Sequence, residues 1–190
     1  MIVGSKYILF YKPFGVLSQF TDEGTGHPTL KKYINVPDVY AAGRLDRDSE
    51  GLLLLTNDGG LISGLTSPKR HVPKTYLVQV EGEISPDKLD ALAKGVLLRG
   101  YTTLPCRVRE ISEPLLPPRE KPITPHGPVA WLEVTLVEGK KRQIRHMTAA
   151  VGLFTLRIVR VAIGKLRVGL LKPGEFRELT RQEIKTLKAD

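Results

Sequence analysis

Between Arg44 and Gly59 the chain reads RLDRDSEGLLLLTNDG, which packs Asp46, Asp48 and Glu50 into five residues ahead of four leucines. Three kinds of chemistry suit such a cluster. The alternating acids followed by Gly51 echo the start of an EF-hand loop. That echo fails further on, because Asn57 stands where a bidentate glutamate is required and Leu52–Leu55 reads as a strand. Magnesium held by two of the acids, as in a metal-dependent nuclease, needs fewer protein ligands and stays open at this point. Short acids and Ser49 also suit a plain turn, where they bond nearby backbone amides. That is the reading for Asp48 and Glu50, with Arg44 or Arg47 as an alternative partner for Asp48. The third kind is a reactive carboxylate. An acid set among Arg44, Arg47 and Arg145 stays ionised at neutral pH, able to attack as a nucleophile or to stabilise developing positive charge.

A second set of residues lies in EGKKRQIRHMTAAVG, residues 138–152. Read as a helix at 100° per residue, it places Arg142, Arg145 and His146 on one face and Ile144, Met147 and Val151 on the other. Lys140 and Lys141 add charge at its start, where each cation opposes the helix dipole by roughly several tenths of a kcal/mol. That arrangement suits an anionic ligand, or else the solvated face of an ordinary amphipathic helix. Lys12, Arg44, Lys69, Arg70, Lys74, Arg157, Arg160 and Lys165 fall at expected strand ends and turns. If those ends converge, they form a cationic groove for backbone phosphates. Tyr76, on an expected strand, offers an aromatic face and a hydroxyl to a nucleobase, or else is a core tyrosine.

The elements that must position these residues are short. Strands are expected at Lys6–Tyr11, Leu52–Thr56, Thr75–Val80, Cys106–Ile111, Trp131–Val137, Leu156–Ile163 and Glu175–Leu179, with turns at KPFG and NDGG. Ser85 caps a helix that Pro86 begins and Gly95 ends. Residues 113–128, with six prolines, read as an irregular surface loop, and TDEGTGHP at 21–28 as a mobile one. Many short strands with few helices argue α+β with a largely antiparallel sheet. The chain has 190 residues and a formal charge of +9, from 29 lysines and arginines against 20 acids, which favours a polyanionic partner, nucleic acid above all. Cys106 is the sole cysteine, so neither an intramolecular disulfide nor a cysteine-based zinc site is expected. The N-terminal MIVGSKYILFYKP is too short an apolar run for a signal peptide and nothing resembles a membrane span, so a soluble cytoplasmic protein is expected.

Taken together, the motifs resemble the pseudouridine synthases of the RsuA family. GRLDRDSEGLLLLTNDG, residues 43–59, resembles that family's catalytic motif, and KPFGVLSQ its first motif. Lys74-Thr75-Tyr76 is similar to its tyrosine motif, EGKKRQIRHMTAAVG to its arginine motif, and LRIVRVAIGKLRVGLLKPGEFREL to its closing segment. They occur in the family's order over nearly the whole chain. The resemblance implies an α+β pseudouridine synthase catalytic fold: a largely antiparallel mixed sheet in two lobes, with helices and loops flanking a central cleft. It implies that Asp46 is the catalytic aspartate, that Tyr76 stacks on the target uracil, and that Arg145 pairs with Asp46. Ile158 and Leu45 would line the substrate pocket. Lys12, Arg44, Lys74, Lys140, Lys141, Arg142, His146 and Arg160 would contact RNA, with Arg44 occupying space left by the extruded base. No cofactor or metal is implied.

Because Lys6–Tyr11 resembles the first strand of the catalytic domain, residues 1–190 are expected to be that domain alone, two sub-lobes without the S4-type RNA-binding domain that precedes it in many members. The short form is similar to members that modify large-subunit ribosomal RNA, which makes 23S rRNA the expected partner and a monomer the expected state. The loops at 21–28 and 113–128 are candidates for specificity or else inert surface. A non-catalytic RNA-binding module is the competing reading, and it would not need Asp46, Tyr76 and Arg145 together.

Overall fold

YILFYK and the leucine run are apolar at nearly every position, which suits strands covered on both faces. In the computed structural model, which describes residues 4–189, they form β1 (Tyr7–Lys12) and β3 (Glu50–Thr56), and every residue of both is buried. Met1–Val3, at the head of the N-terminal reading, lie outside the described residues. The remaining strands and α-helices are β2 (Tyr40–Ala41), α1 (Gly59–Thr66), β4 (Lys74–Glu81), α2 (Pro86–Lys94), β5 (Leu97–Leu98), β6 (Tyr101–Thr102) and β7 (Arg107–Ile111). They continue with β8 (Val129–Leu136), α3 (Gln143–Ala150), β9 (Phe154–Ile163), β10 (Leu166–Arg167), β11 (Phe176–Glu178) and α4 (Arg181–Ala189).

The main sheet runs β11-β1-β3-β9-β4-β8-β7, with β2 beside β3 and β10 beside β9; β5 and β6 form a separate hairpin. Its pairings are antiparallel except one, the β3–β9 junction, where Glu50 stands opposite Val159 and Gly51 opposite Arg160. This is the α+β fold with a mixed, largely antiparallel sheet that the sequence led one to expect. On one side of that junction Leu9, Leu52 and Leu54 pack with Leu61 and Leu65 of α1 and Leu187 of α4. Ile8, Phe10, Leu53 and Leu55 pack behind them on Leu30 and Ile34. On the other side Val78, Leu132 and Ile158 pack with Leu92 of α2 and with Ile144 and Met147 of α3.

Gly51 makes the junction possible. Its φ is +98°, and a Cβ there would run into the backbone oxygen and nitrogen of Arg160. Only glycine adopts that conformation freely and admits so close a strand.

Two helices were not expected. NDGG, read as a turn, launches α1: the Asp58 carboxylate accepts from Leu61 N at 3.0 Å, which satisfies a free amide of the first turn. Beyond the last expected strand, Thr180 and Glu183 form a reciprocal cap that starts α4. Glu183 accepts from Thr180 N at 2.8 Å, and Thr180 Oγ1 accepts from Glu183 N at 3.2 Å. The basic helix is also shorter than its sequence pattern. Arg142 precedes it in the left-handed region, at φ +52°. Arg142 therefore does not share a helical face with Arg145 and His146.

A candidate active site beside the strand junction

The loop between β2 and β3 carries Asp46, and residues 12–18 clamp it. Ser18 Oγ donates to Leu45 O at 2.8 Å and accepts from Leu45 N at 3.1 Å. Arg47 O accepts from Gly15 N at 2.8 Å and from Lys12 Nζ at 3.2 Å. Ser49 N then donates to Asp46 O at 3.0 Å and closes the turn. The backbone is thus held on both sides of Asp46 by the segment KPFGVLS, a physical reason for the two motifs to occur together.

Lys12 is part of that clamp and not a surface cation. It is 0 % exposed, and its ammonium also donates to Pro13 O and Val16 O at 2.9 and 2.8 Å. Burial pulls its pKa down to about 7, against the opposing pull of Glu50, Asp48 and Asp46. The expectation that Lys12 touches RNA is therefore corrected: β1 is covered on both faces to its last residue, and three backbone carbonyls occupy the ammonium.

Asp46 opens onto a cleft with a cavity volume of about 730 Å³. Its apolar wall is made by Leu45, Tyr76, Ile144 and Ile158, and Arg44, Lys74, Lys140, Lys141, Arg142 and Arg160 line it with positive charge. The convergence that sequence could not establish therefore holds for those six cations. Tyr76 is packed against the apolar wall, and its hydroxyl has no hydrogen-bond partner among the described residues. Lys140 sits over the Tyr101 ring, 3.3 Å from its centroid. Lys74 donates to Val72 O at 3.1 Å. Arg160 is buried, donates to Leu52 O at 2.8 Å, and presents an unpartnered Nη2. It lines the inner part of the cleft and is not the surface contact that was expected. His146 is exposed on α3 away from the cleft, so the structure does not bring it to the site.

The expected Arg145–Asp46 pair is not formed. Arg145 Nη2 lies 3.2 Å from Asp48 Oδ2 and donates to Asp48 O at 3.1 Å, while Nη1 donates to Thr155 O at 3.3 Å. Arg142 adds a two-pronged bond to both Asp48 oxygens, at 3.0 and 2.9 Å. Asp48 is thus neither a plain turn acid nor the partner of Arg44 or Arg47. The tight turn directs it at the start of α3, whereas Asp46 faces the cleft. Burial pushes the Asp48 carboxyl up, but the Arg142 hydrogen bonds and the Arg145 charge outweigh it and hold it below the usual carboxylate range. Burial likewise pulls Arg145 down, with Asp48 opposing. With both oxygens occupied by guanidinium, Asp48 has little left to offer a shared magnesium ion.

Glu50 has a third fate. It is 1 % exposed and accepts from Arg157 Nε and Nη2 at 2.9 and 2.8 Å. Arg157 is therefore beneath the site and not in its groove. Arg157 Nη2 also donates to Pro117 O at 2.8 Å, and Arg119 lies 4.5 Å from the centre of the Phe14 ring. These contacts strap the Pro-rich loop onto β9 and onto the clamp segment.

The Asp46 carboxylate makes no hydrogen bond or ion pair with any described residue. Lys12, Arg142 and Arg145 all feel its charge. The site offers a free carboxylate, an aromatic face in an apolar slot and a rim of cations, which together suit a flat base whose sugar-phosphate chain remains outside. Sequence reasoning missed Ser18, whose only signal was its place in KPFGVLSQ, and the Arg142–Asp48 bond, which had none.

Residues 6–150 match the RNA pseudouridylate synthase family. The chain is 51% identical over 176 residues to the ribosomal large subunit pseudouridine synthase E of Vibrio parahaemolyticus, covering 92% of this chain and 74% of that one. It is 53% identical over 174 residues to the protein of the same name from Xanthomonas campestris, covering 90% and 93%. A crystal structure of a pseudouridylate synthase superposes with a TM-score of 0.83 at 32% identity, over 98% of this chain and 75% of the other. The chain belongs to the RNA pseudouridylate synthase family and is an isomerase that acts on RNA.

Proposed function

We propose that this enzyme converts a uridine of large-subunit ribosomal RNA, 23S rRNA, to pseudouridine, and that Asp46 is its catalytic group. The substrate reading is supported by identity of about half to relatives named for the large subunit. The single observation that carries the catalytic assignment is the Asp46 carboxylate, held by its backbone at the cleft and left without a partner among the described residues. The target base leaves its stack at a cost of about a few kcal/mol and enters beside Tyr76, with Leu45 and Ile158 as the apolar walls. Contacts from Arg44, Lys140, Lys141 and Arg142 to flanking phosphates offset that cost.

In the reaction the C1′–N1 bond breaks, the uracil turns in the pocket, and a C1′–C5 bond forms. C5 loses its proton and N1 gains one, so the net change is an isomerisation. Asp46 acts either on C1′ as nucleophile or on the C2′ proton as base, and both roles need a carboxylate that no arginine has claimed. Arg145 serves this carboxylate indirectly, by fixing Asp48 and through it the turn. A ribosomal RNA substrate suits a cytoplasmic enzyme.

The test is pseudouridine mapping by carbodiimide-stop sequencing of ribosomal RNA from cells with and without the gene. One large-subunit stop should vanish with the gene and return when purified enzyme acts on the unmodified RNA. An unchanged large-subunit map, or a lost stop in another RNA, would contradict the substrate.

A further inference from the structure

The cleft lies on one side of the sheet. Across β4, β8 and β7, α2 and α3 pack on that same side. Side chains alternate along a strand, so Thr75, next to Tyr76, points out of the opposite side. Strand pairing extends its position sideways. Thr75 stands opposite Thr135 of β8 and Ala162 of β9. Thr135 stands opposite Arg107 of β7, and Ala162 opposite Arg167 of β10. Directly paired residues share a face. A row therefore crosses five strands on the rear of the sheet, with small residues in the middle and an arginine at each end.

The row forms a depression of about 300 Å³, walled by Arg107, Arg109 and Arg167. The Thr75 and Thr135 hydroxyls lie 3.0 Å apart on its floor. Glu133 is at its rim, bonded to Arg109 at 2.9 Å. Arg107 and Arg167 are exposed and have no hydrogen-bond or ion-pair partner among the described residues. Two unpaired guanidiniums over a pair of hydroxyls present donors in the forked geometry that suits phosphate oxygens. The one carboxylate that lines it among the described residues, Glu133, is already paired with the third arginine. None of these groups is used by the chemistry of the cleft.

We propose that this rear depression is a second RNA site, which holds a backbone phosphate of the substrate while the target uridine occupies the cleft. It rests on the reading of a large RNA as substrate, because a short strand filling the cleft would not reach behind the sheet. The site adds affinity for extended or folded RNA and does not act on the reacting base.

The experiment compares wild type with the double variant Arg107→Gln/Arg167→Gln. Both side chains are exposed, and matched melting curves check the fold. Affinity is measured by filter binding over a salt series, for a long large-subunit transcript and for a short hairpin bearing the target uridine. With the long transcript, affinity should fall about tenfold and the slope of log K against log salt should drop by about 0.7–0.9, the value for one phosphate no longer neutralised. Hairpin affinity and kcat at saturating hairpin should stay unchanged. A second double variant, Arg107→Lys/Arg167→Lys, should keep the salt slope and lose part of the affinity, since lysine keeps the charge without the fork. Unchanged affinity and slope for the long transcript would overturn the proposal, as would an equal loss on both RNAs. Failure of the wild type to form pseudouridine counts against the substrate reading alone, because binding and its salt slope are read without turnover.

Discussion

Arg157 and Arg109 each hold a glutamate on a neighbouring strand, Arg157 with Glu50 at 2.8 Å and Arg109 with Glu133 at 2.9 Å. The surroundings differ. The Arg157 and Glu50 side chains are 9% and 1% exposed, whereas those of Arg109 and Glu133 are 67% and 32%. The first pair lies under the Asp46 loop, in the half of the sheet that is buried on both faces. The second lies on the bare rear of the other half. In the closed half, charge is internal structure: Lys12, Glu50 and Arg157 satisfy one another or the backbone beneath Asp46. In the open half, Arg107, Arg109 and Arg167 face water. The same residue types therefore do different work according to which half carries them.

The sharpest way to break this contrast is to truncate both arginines. Arg157→Ala leaves Glu50 charged and buried, and should destabilise the fold by about 3–5 kcal/mol in urea unfolding. Arg109→Ala removes an exposed pair and should cost about 0–1 kcal/mol. Equal losses would mean that the halves do not differ as described.

Glycines at the two places give the next contrast. Gly51→Ala puts a methyl against the Arg160 backbone at a residue with φ +98°, and should cost roughly 1–3 kcal/mol. It should also lower activity, because the β3–β9 junction sets the position of the Asp46 loop. Gly139, in the turn beside the cleft, has nothing within 4 Å of an added Cβ, so Gly139→Ala should stay within about 0.5 kcal/mol.

The smallest effect is on pH dependence. Folding takes Lys12 from an ordinary 10.5 to about 7, so the unfolded chain binds more protons between those values. Stability therefore rises with pH across that window, and the contribution is lost as pH falls towards 7. Tyr11, held up to about 12 by burial and by Glu50, acts in the opposite sense only above pH 10. Between about pH 7.5 and 9.5, where proton linkage at Lys12 keeps one sign, melting temperatures should climb less steeply in Lys12→Met than in wild type. Parallel slopes would show that folding does not release the Lys12 proton in this window, and that burial leaves its pKa where it is in the unfolded chain.

Much of the closed half was legible in the sequence, since β1 and β3 are apolar runs and only strands covered on both faces have that composition. The punctuation of α2 was also plain: Ser85 caps it, Pro86 opens it and Gly95 ends it, with Ser85 Oγ accepting from Lys88 N at 3.3 Å. The glycines of GGLISGLT hid α1, because Gly59 and Gly60 read as the end of a turn. The Thr180–Glu183 cap was visible as a T-x-x-E pattern, but it follows the last expected strand. At the site, the resemblance of the motifs to the family singled out Asp46, Tyr76, Leu45 and Ile158, all of which reach the cleft. Which acid faces α3 was not legible. Asp46 and Asp48 are two residues apart in a turn, where no strand or helix period fixes direction, so the acid expected to pair with Arg145 is the wrong one of the two. Lys12 misled for a related reason, since a lysine at a strand end reads as solvent-facing until the loops that cover it are seen.

The central claim is that these two acids divide the work, Asp46 reacting and Asp48 holding the turn to α3. It is tested most directly by single-turnover pseudouridine formation in Asp46→Asn and Asp48→Asn beside RNA affinity and melting temperature. Asp46→Asn should form no product while binding RNA and melting as wild type does. Asp48→Asn should melt lower, having lost its ion pairs with Arg142 and Arg145, and should still form product at a reduced rate. Product formation by Asp46→Asn, or its complete loss in Asp48→Asn with affinity and melting temperature intact, would contradict that division.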